Sequence, residues 1–484
     1  TPPYSKCRII MPSIDDVLKA ECGHVVAPAG CGKTELIVNT IASPTERPAL
    51  VLTHTTAGVA ALRHRFKKAG VALANYRLNT IAGWALTLIS RFPERAGYQH
   101  DPIDAPDYQQ IQMAIGRLCN SGDIKSELRA TYSRLLVDEY QDCSVSQHAI
   151  VTGIANAIPT IVFGDPMQAI FGFGGDPLPD WETEVVPAFP LLGELNTPWR
   201  WNNAAANDLG IWLLTARQDL VTGGSIDVRT CPAKVSWHAL SNDENTNITA
   251  QIAAQYAISN AYPKETLLII GDSRQVSTRH NYASRANGVG VVEPVDFRDV
   301  VGFAAQMADQ TGEPLLQSCI GFLIKVMTNV YGDVLQARIQ SILAGRHRNQ
   351  PTAQELAAIT LYQGGGLAEA AFFLSSMATD RNRRVYRMSA FNIMLDALRS
   401  TATVPDARLN ETIALLREQR RHAGRAIPYK AVGSTLLLKG LEADHVLILD
   451  ADKPGNEMTK EHLYVALTRG AKSVTIFSRK CVLP

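Results

Sequence analysis

Apolar residues in this chain gather in short unbroken runs. Each run gives way to a polar or Gly-rich turn and then to apolar positions at helical spacing. Residues 24–27, 49–53, 135–138 and 160–163 form a first set of runs, and 266–270, 446–449 and 473–477 a second. A strand covered on both faces needs apolar side chains at every position, so runs of this kind followed by helices predict parallel sheets sandwiched by helices. The expected fold class is α/β with two parallel-sheet cores.

Between the strands of the second set the apolar spacing turns helical, over 315–330, 334–343, 353–361, 367–377 and 409–421. This predicts a helical insertion spanning 296–425. A shorter helical stretch, 91–132, interrupts the first set. The expected division is 1–90 with 133–188 for the first core, 91–132 for its insertion, 189–295 with 426–484 for the second core, and 296–425 for the second insertion. No repeat of fixed period and no low-complexity tract interrupts this plan.

Candidate chemistry begins where the first run ends, at Ala27-Pro28-Ala29-Gly30-Cys31-Gly32-Lys33-Thr34. Gly30 and Gly32 let backbone N–H groups curl around a phosphate, Lys33 reaches its outer oxygens and Thr34 is suited to Mg²⁺. A Gly-rich turn ahead of a helix is common, but strand, loop, Lys-Thr and helix in this order are not. Ala27 stands where the usual pattern has its first Gly. The run at 135–138 ends in Asp138-Glu139, carboxylates suited to a metal ion and to activating water, at the strand end where doubly wound sheets place their ligands. After the run at 160–163 come Asp165, Gln168, Phe171 and Phe173. Gln168 offers a γ-phosphate sensor or water positioner. The two rings suit either a buried core or a platform on which bases stack.

These segments in this order resemble the UvrD/Rep-type superfamily 1 DNA helicases. The likeness extends to Thr53 through Gly58, to Asn79 through Trp84, to Asn196-Thr197-Pro198-Trp199-Arg200, to residues 434–442 ending in Glu442, and to Tyr464-Val465-Ala466-Leu467-Thr468-Arg469. It implies two RecA-like cores forming an ATP cleft, with ATP and Mg²⁺ as cofactors. The phosphate loop and Glu442 would bind nucleotide, and Thr34 and Asp138 the metal. Glu139, Gln168, Arg200 and Arg469 would be catalytic, the two arginines reaching in from the second core. An arginine that meets the spread charge of a phosphoryl transition state is worth roughly 10³ to 10⁵ in rate. Single-stranded DNA would be touched by Thr53, Thr55, Thr80, Trp84, Phe171 and Phe173, with 3′ to 5′ polarity and duplex junctions as the unwinding substrate. Two departures stand out: residues 13–23 hold no Gln of the kind that reads adenine in the family, and Ile81-Ala82 replaces the usual Phe-His.

Composition narrows the alternatives. With a net charge of +1, any nucleic-acid partner must be held by a local surface. Eight cysteines without metal-ligand spacing suit a reducing, cytoplasmic setting, and no apolar run reaches the length of a membrane span. Basic clusters at Arg381, Arg383, Arg384 and Arg387 and at Arg417, Arg420 and Arg421 suit duplex DNA, a protein partner or a solvated helix face. Short insertions and the lack of a nuclease segment raise a rival reading, a nucleic-acid-stimulated ATPase subunit regulating a nuclease or effector, as in two-component antiphage systems of the Gabija type. A small-molecule kinase would need only one core.

Overall fold

The computed structural model describes residues 11–99, 107–171, 175–294, 296–404, 406–423, 427–452 and 458–484, with backbone alone for 420–423. Phe173 lies outside the described residues, as do the side chains of Arg420 and Arg421. The first sheet contains β1 (Cys22–Val26), β2 (Ala49–Thr53), β3 (Tyr76–Thr80), β4 (Leu135–Asp138), β5 (Thr160–Gly164) and β6 (Leu191–Glu194). Its order is β3-β2-β4-β5-β1-β6, and every neighbouring pair is parallel. Leu135 and Val137 belong to one apolar cluster and Leu136 to another. Alternate side chains of β4 thus enter cores on opposite faces, the reason its sequence is apolar throughout.

After a short β7 (Ile226–Asp227), the second sheet takes β8 (Val235–Ala239), β9 (Leu267–Gly271), β10 (Gly290–Val291), β11 (Lys430–Ser434), β12 (Ala443–Ile448) and β13 (Gly470–Ser478). Its order is β10-β11-β9-β12-β13-β8, parallel along β10-β11-β9-β12. A last strand, β14 (Val482–Leu483), pairs antiparallel with β7. The chain is thus α/β with two six-stranded cores.

Contacts group the chain into two compact units, Thr1–Ser236 with Met458–Ser473 and Cys481–Pro484, and Trp237–Glu457 with Val474–Lys480. Residues 189–234 and 458–469, read above as second core, group with the first unit, while 235–236 and 470–473 at its margins are strand residues of β8 and β13 in the second sheet. The physical reasons are local: β6 extends the sheet beside β1, and the buried Trp201 ring donates its Nε1–H to the Gly470 carbonyl at 2.9 Å. The stretch 91–132 differs from expectation too. Ile111, Ile115 and Leu118 of helix Tyr108–Ser121 share one apolar cluster with Leu135 and Val137 of β4, so this stretch extends the first core.

Seven helices among the described residues make up the second insertion, from Arg298–Met307 to Leu409–Ala423, around a cluster of their own that includes Leu315, Phe322, Phe373 and Leu398. The cluster at 381–387 forms neither a solvated helix face nor a free cationic patch. Arg384 donates to the carbonyls of Ala283, Ser284 and Val289. Arg387 is buried against Glu293 and Asp299, and Arg383 pairs with Asp380. Local sequence shows the charges; the partners of Arg384 and Arg387 lie far along the chain. Arg381 alone of the four is exposed.

Helix Val145–Ala155 meets helix Tyr108–Ser121 at backbone distance: a Cβ on Gly153 would stand 2.5 Å from the Cys119 Cβ and 2.9 Å from the Asn120 nitrogen. A Cβ on Gly116 would meet nothing closer than the Ala149 Cβ at 3.4 Å. Gly153→Ala is therefore expected to lower the thermal midpoint by the equivalent of about 1–3 kcal/mol through overpacking. Gly116→Ala leaves it unchanged or raises it, since Ala favours helix by about 1 kcal/mol. Melts of the two variants side by side check the pair.

Candidate active site

The order of the first sheet puts β5 between β1, which feeds the Gly-rich loop, and β4, which ends in Asp138. At Gly30 (φ +70°) and Gly32 (φ +93°) the loop takes left-handed turns open to glycine, then enters helix Lys33–Ala42. Neighbours bound it closely. The Arg200 N–H donates to the Gly30 carbonyl at 3.1 Å, and the Ala29 N–H donates to the Tyr464 hydroxyl at 3.1 Å. Cys31 is buried, which pushes its thiol up to about 12 and keeps it neutral.

Lys33 reaches across to the end of β4, its ammonium 2.9 Å from Asp138 Oδ1 and 2.5 Å from Glu139 Oε1. Burial disfavours the Lys33 charge, but the two carboxylates outweigh it and hold its pKa well above the lysine norm. Burial raises the Asp138 pKa, Lys33 opposes the rise and Glu139 adds to it. Glu139 itself sits in the left-handed region (φ 55°, ψ 44°), a strained conformation for a side-chain-bearing residue.

Gln141, not singled out from the sequence, ties this group to the next strand. Its Nε2 donates to Glu139 Oε2 at 2.6 Å, and its Oε1 accepts from the Asp165 N–H at 3.2 Å. Asp165 Oδ2 accepts from Gln168 Nε2 at 3.2 Å. The other missed residue is Arg217. Its guanidinium meets Asp165 at 2.8 Å and Glu194 at 2.7 Å, and although burial opposes the charge, Asp165 and Glu194 keep its pKa well above the arginine norm. No motif marks Arg217; for Gln141 the signal is its place in Asp138-Glu139-Tyr140-Gln141-Asp142, two residues after the carboxylate pair.

Both arginines expected from a second core lie in the same compact unit as Lys33. Arg200 lies on the Trp201 ring, 5.3 Å from its centroid, and donates to the Thr468 carbonyl at 2.6 Å. Arg469 is buried and turns back on its own helix, donating to the Val465 carbonyl at 2.8 Å. Glu442 is exposed just before β12, in the other unit. Trp199, half exposed, lies beside Gly32 and offers a flat apolar surface at the loop.

Of the residues expected to touch a strand, Thr55 and Thr80 cap helices, their hydroxyls accepting from Gly58 and Gly83. Thr53 is fully buried at the end of β2, in register with Asp138. Trp84 is core: it is buried in the cluster with Leu135 and Val137, its indole N–H reaching the Tyr132 hydroxyl at 3.4 Å. That ring is no stacking platform. Phe171 is partly exposed and pairs with His54, ring centroids 5.4 Å apart.

No set of three or more His, Cys, Asp or Glu among the described residues could cage a metal unaided. Mg²⁺ needs less, because it keeps waters and takes one or two protein oxygens beside nucleotide phosphates. Asp138, already neutralised by a cation, and Thr34 on the following helix fit that role.

Residues 100–177 match the UvrD/REP helicase N-terminal domain family. No curated protein is matched. Among solved structures, the chain is similar to the arterivirus nonstructural protein 10 helicase in complex with DNA, at 12% identity over 53% of this chain. It spans about half of that helicase (48%), and with a TM-score of 0.26 the likeness adds nothing to the strand order described above.

Lys33→Met should expose the electrostatics of the site. It removes the ammonium that opposes the rise of the Asp138 pKa, and a carboxyl whose folded pKa lies above its unfolded value loses stability as pH climbs past 3.8. The thermal midpoint of the variant should therefore fall relative to the parent from acid toward neutral pH. Adding Asp138→Asn should shrink that pH-dependent gap, leaving the part due to Glu139, which also pairs with Lys33.

Proposed function

We propose that this chain is an ATP-driven motor that tracks along single-stranded DNA from 3′ to 5′ and opens duplex junctions. The Lys33 ammonium held between Asp138 and Glu139 beside a glycine loop carries the reading, because that arrangement suits nucleoside triphosphate hydrolysis. The match of residues 100–177 to a helicase family supports it. In this reading the phosphates of ATP take Lys33 and the loop N–H groups, displacing the carboxylates and the Tyr464 hydroxyl. Thr34 and Asp138 would hold Mg²⁺, which would supply charge neutralisation at the phosphate oxygens. Glu139, freed from Lys33 but still fixed by Gln141, orients water and takes its proton, while Gln168 senses the γ-phosphate. Arg200 and Arg469 would stabilise the transition state once turned from the Thr468 and Val465 carbonyls. Trp199 stands where a base could lie, a substitute for the missing Gln segment.

Phe171 with His54 at the strand ends supplies a step for a base, and Thr55 and Thr80 supply backbone contacts that carry no sequence preference. A second reading draws on the arginines of 381–387. Arg384 and Arg387 are spent on internal partners, which favours tracking with weak free-standing unwinding, as a cytoplasmic ATPase subunit of a nuclease or antiphage effector would have.

ATP turnover measured without polymer, with single-stranded DNA, with RNA and with duplex tests the motor. Stimulation by single-stranded DNA supports it, and a flat response sinks it. Lys33→Ala is expected to weaken ATP binding, whereas Glu139→Gln preserves binding and halts turnover. Arg200→Ala and Arg469→Ala should each slow hydrolysis by roughly 10³-fold with modest change in ATP affinity. Normal turnover in Arg469→Ala would remove that residue from the chemistry.

A further inference from the structure

We propose that the basic outer face of helix Thr56–Lys68 holds the phosphate backbone of duplex DNA, apart from the strand that is tracked; this rests on the nucleic-acid part of the reading above. Residues 48–93 contain six Lys and Arg and no Asp or Glu, in a chain whose net charge is only +1. Four of the six, Arg63, Arg65, Lys67 and Lys68, stand on this one helix. Leu62 and Phe66 turn its apolar side into the first core, which leaves those four and His64 exposed. Among the described residues none of the four cations has a carboxylate partner.

A solvated helix face sets acids among its bases at spacings of three and four. Here like charges face one another instead, at Arg63 with Lys67 and at Arg65 with Lys68, and such pairs repel. The negative pole at the helix C-terminus attracts cations within its last turn, which accounts for Arg65, Lys67 and Lys68 but not for Arg63. A polyanion relieves the repulsion, and the counter-ions it releases drive it onto the face. The helix exposes no aromatic or large apolar side chain. Single strands are gripped by rings on which their bases stack, and protein partners by an apolar centre, so neither finds its usual hold here. A duplex has its bases already stacked inside and presents phosphate outward.

The face is remote from the strand path. Thr55 caps the start of the helix, just beyond the end of β2. The helix then runs back along the sheet, where the Phe66 ring packs on Tyr76 at 4.6 Å. Tyr76 opens β3 in register with Ala49, the first residue of β2. Lys68 thus stands about 20 Å along the axis from Thr55, at the opposite end of the sheet from Thr53 and Asp138.

Salt dependence tests this. Fluorescence anisotropy follows a blunt-ended DNA duplex, a thymidine oligonucleotide and polyglutamate between about 50 and 200 mM salt. The parent is compared with a chain carrying Arg63→Gln, Arg65→Gln, Lys67→Gln and Lys68→Gln, thermal melts confirming the fold. Each lost phosphate contact reduces the log–log slope by roughly 0.9, so the duplex slope is expected to flatten by roughly 3 to 4 while the oligonucleotide slope keeps its value. If that chain does not melt cooperatively, Arg63→Gln with Lys67→Gln decides, with an expected flattening of roughly 2. An unchanged duplex slope overturns the proposal, as does equal flattening for the oligonucleotide or a parent without duplex affinity. Weakened polyglutamate binding beside an unchanged duplex slope also overturns it and gives the face to an acidic protein. The expected duplex result beside ATP turnover that ignores single-stranded DNA sinks the motor reading alone.

Discussion

One ammonium makes this first core possible. Asp138 is buried at the end of β4 with Glu139 directly after it, and burial together with the neighbouring charge pushes the Asp138 carboxyl toward its neutral form. Lys33 answers both from the far side of β5, and removing one partner of a buried pair typically costs about 3–5 kcal/mol. The geometry of the loop follows from this need. Left-handed turns at Gly30 and Gly32 start helix Lys33–Ala42 at the point from which its first side chain reaches β4. Any ligand for the loop must offer Lys33 more negative charge than it already holds, a demand that a triphosphate meets and most metabolites do not.

Around that pair the structure spends polar groups on fixing positions. Gln141 clamps Glu139 to the backbone of Asp165, Asp165 holds Gln168, and Arg217 closes on Asp165 and Glu194. Each link is buried or nearly so, where hydrogen bonds strengthen one another and an unpaired member is expensive. The strain at Glu139 is tolerable because these neighbours determine its place. Groups set in advance need little reorganisation when charge develops on a bound phosphate.

What sequence revealed and what it hid divide along physical lines. The strands, the Gly-rich loop and the Asp138-Glu139 pair were legible because each is written in a few adjacent residues. Trp84 was not: a Trp in the first turn of a helix reads the same whether its ring faces solvent or core, and only the packing of helix Tyr108–Ser121 decides. Arg384 and Arg387 read as a surface cluster because their partners, Ala283 and Glu293 among them, lie 101 and 94 positions away. Arg217 carried no local sign at all, since its role exists only once β5 and β6 flank β1 in the sheet. The stretch 91–132 was right in being helical and wrong in being separate, for three short helices cannot close a core alone.

The fastening of the helical insertion has a mechanical side. Arg384 and Arg387 stand three residues apart and grip carbonyls and carboxylates that precede and follow β10 in the chain, so a pull on the insertion is shared by several hydrogen bonds loaded in parallel. Bonds arranged this way yield together or not at all, unlike a single peptide link, which swivels under small torque. The insertion and the edge of the second sheet thus behave as a stiff beam, and elastic compliance in this unit belongs to segments without such rivets.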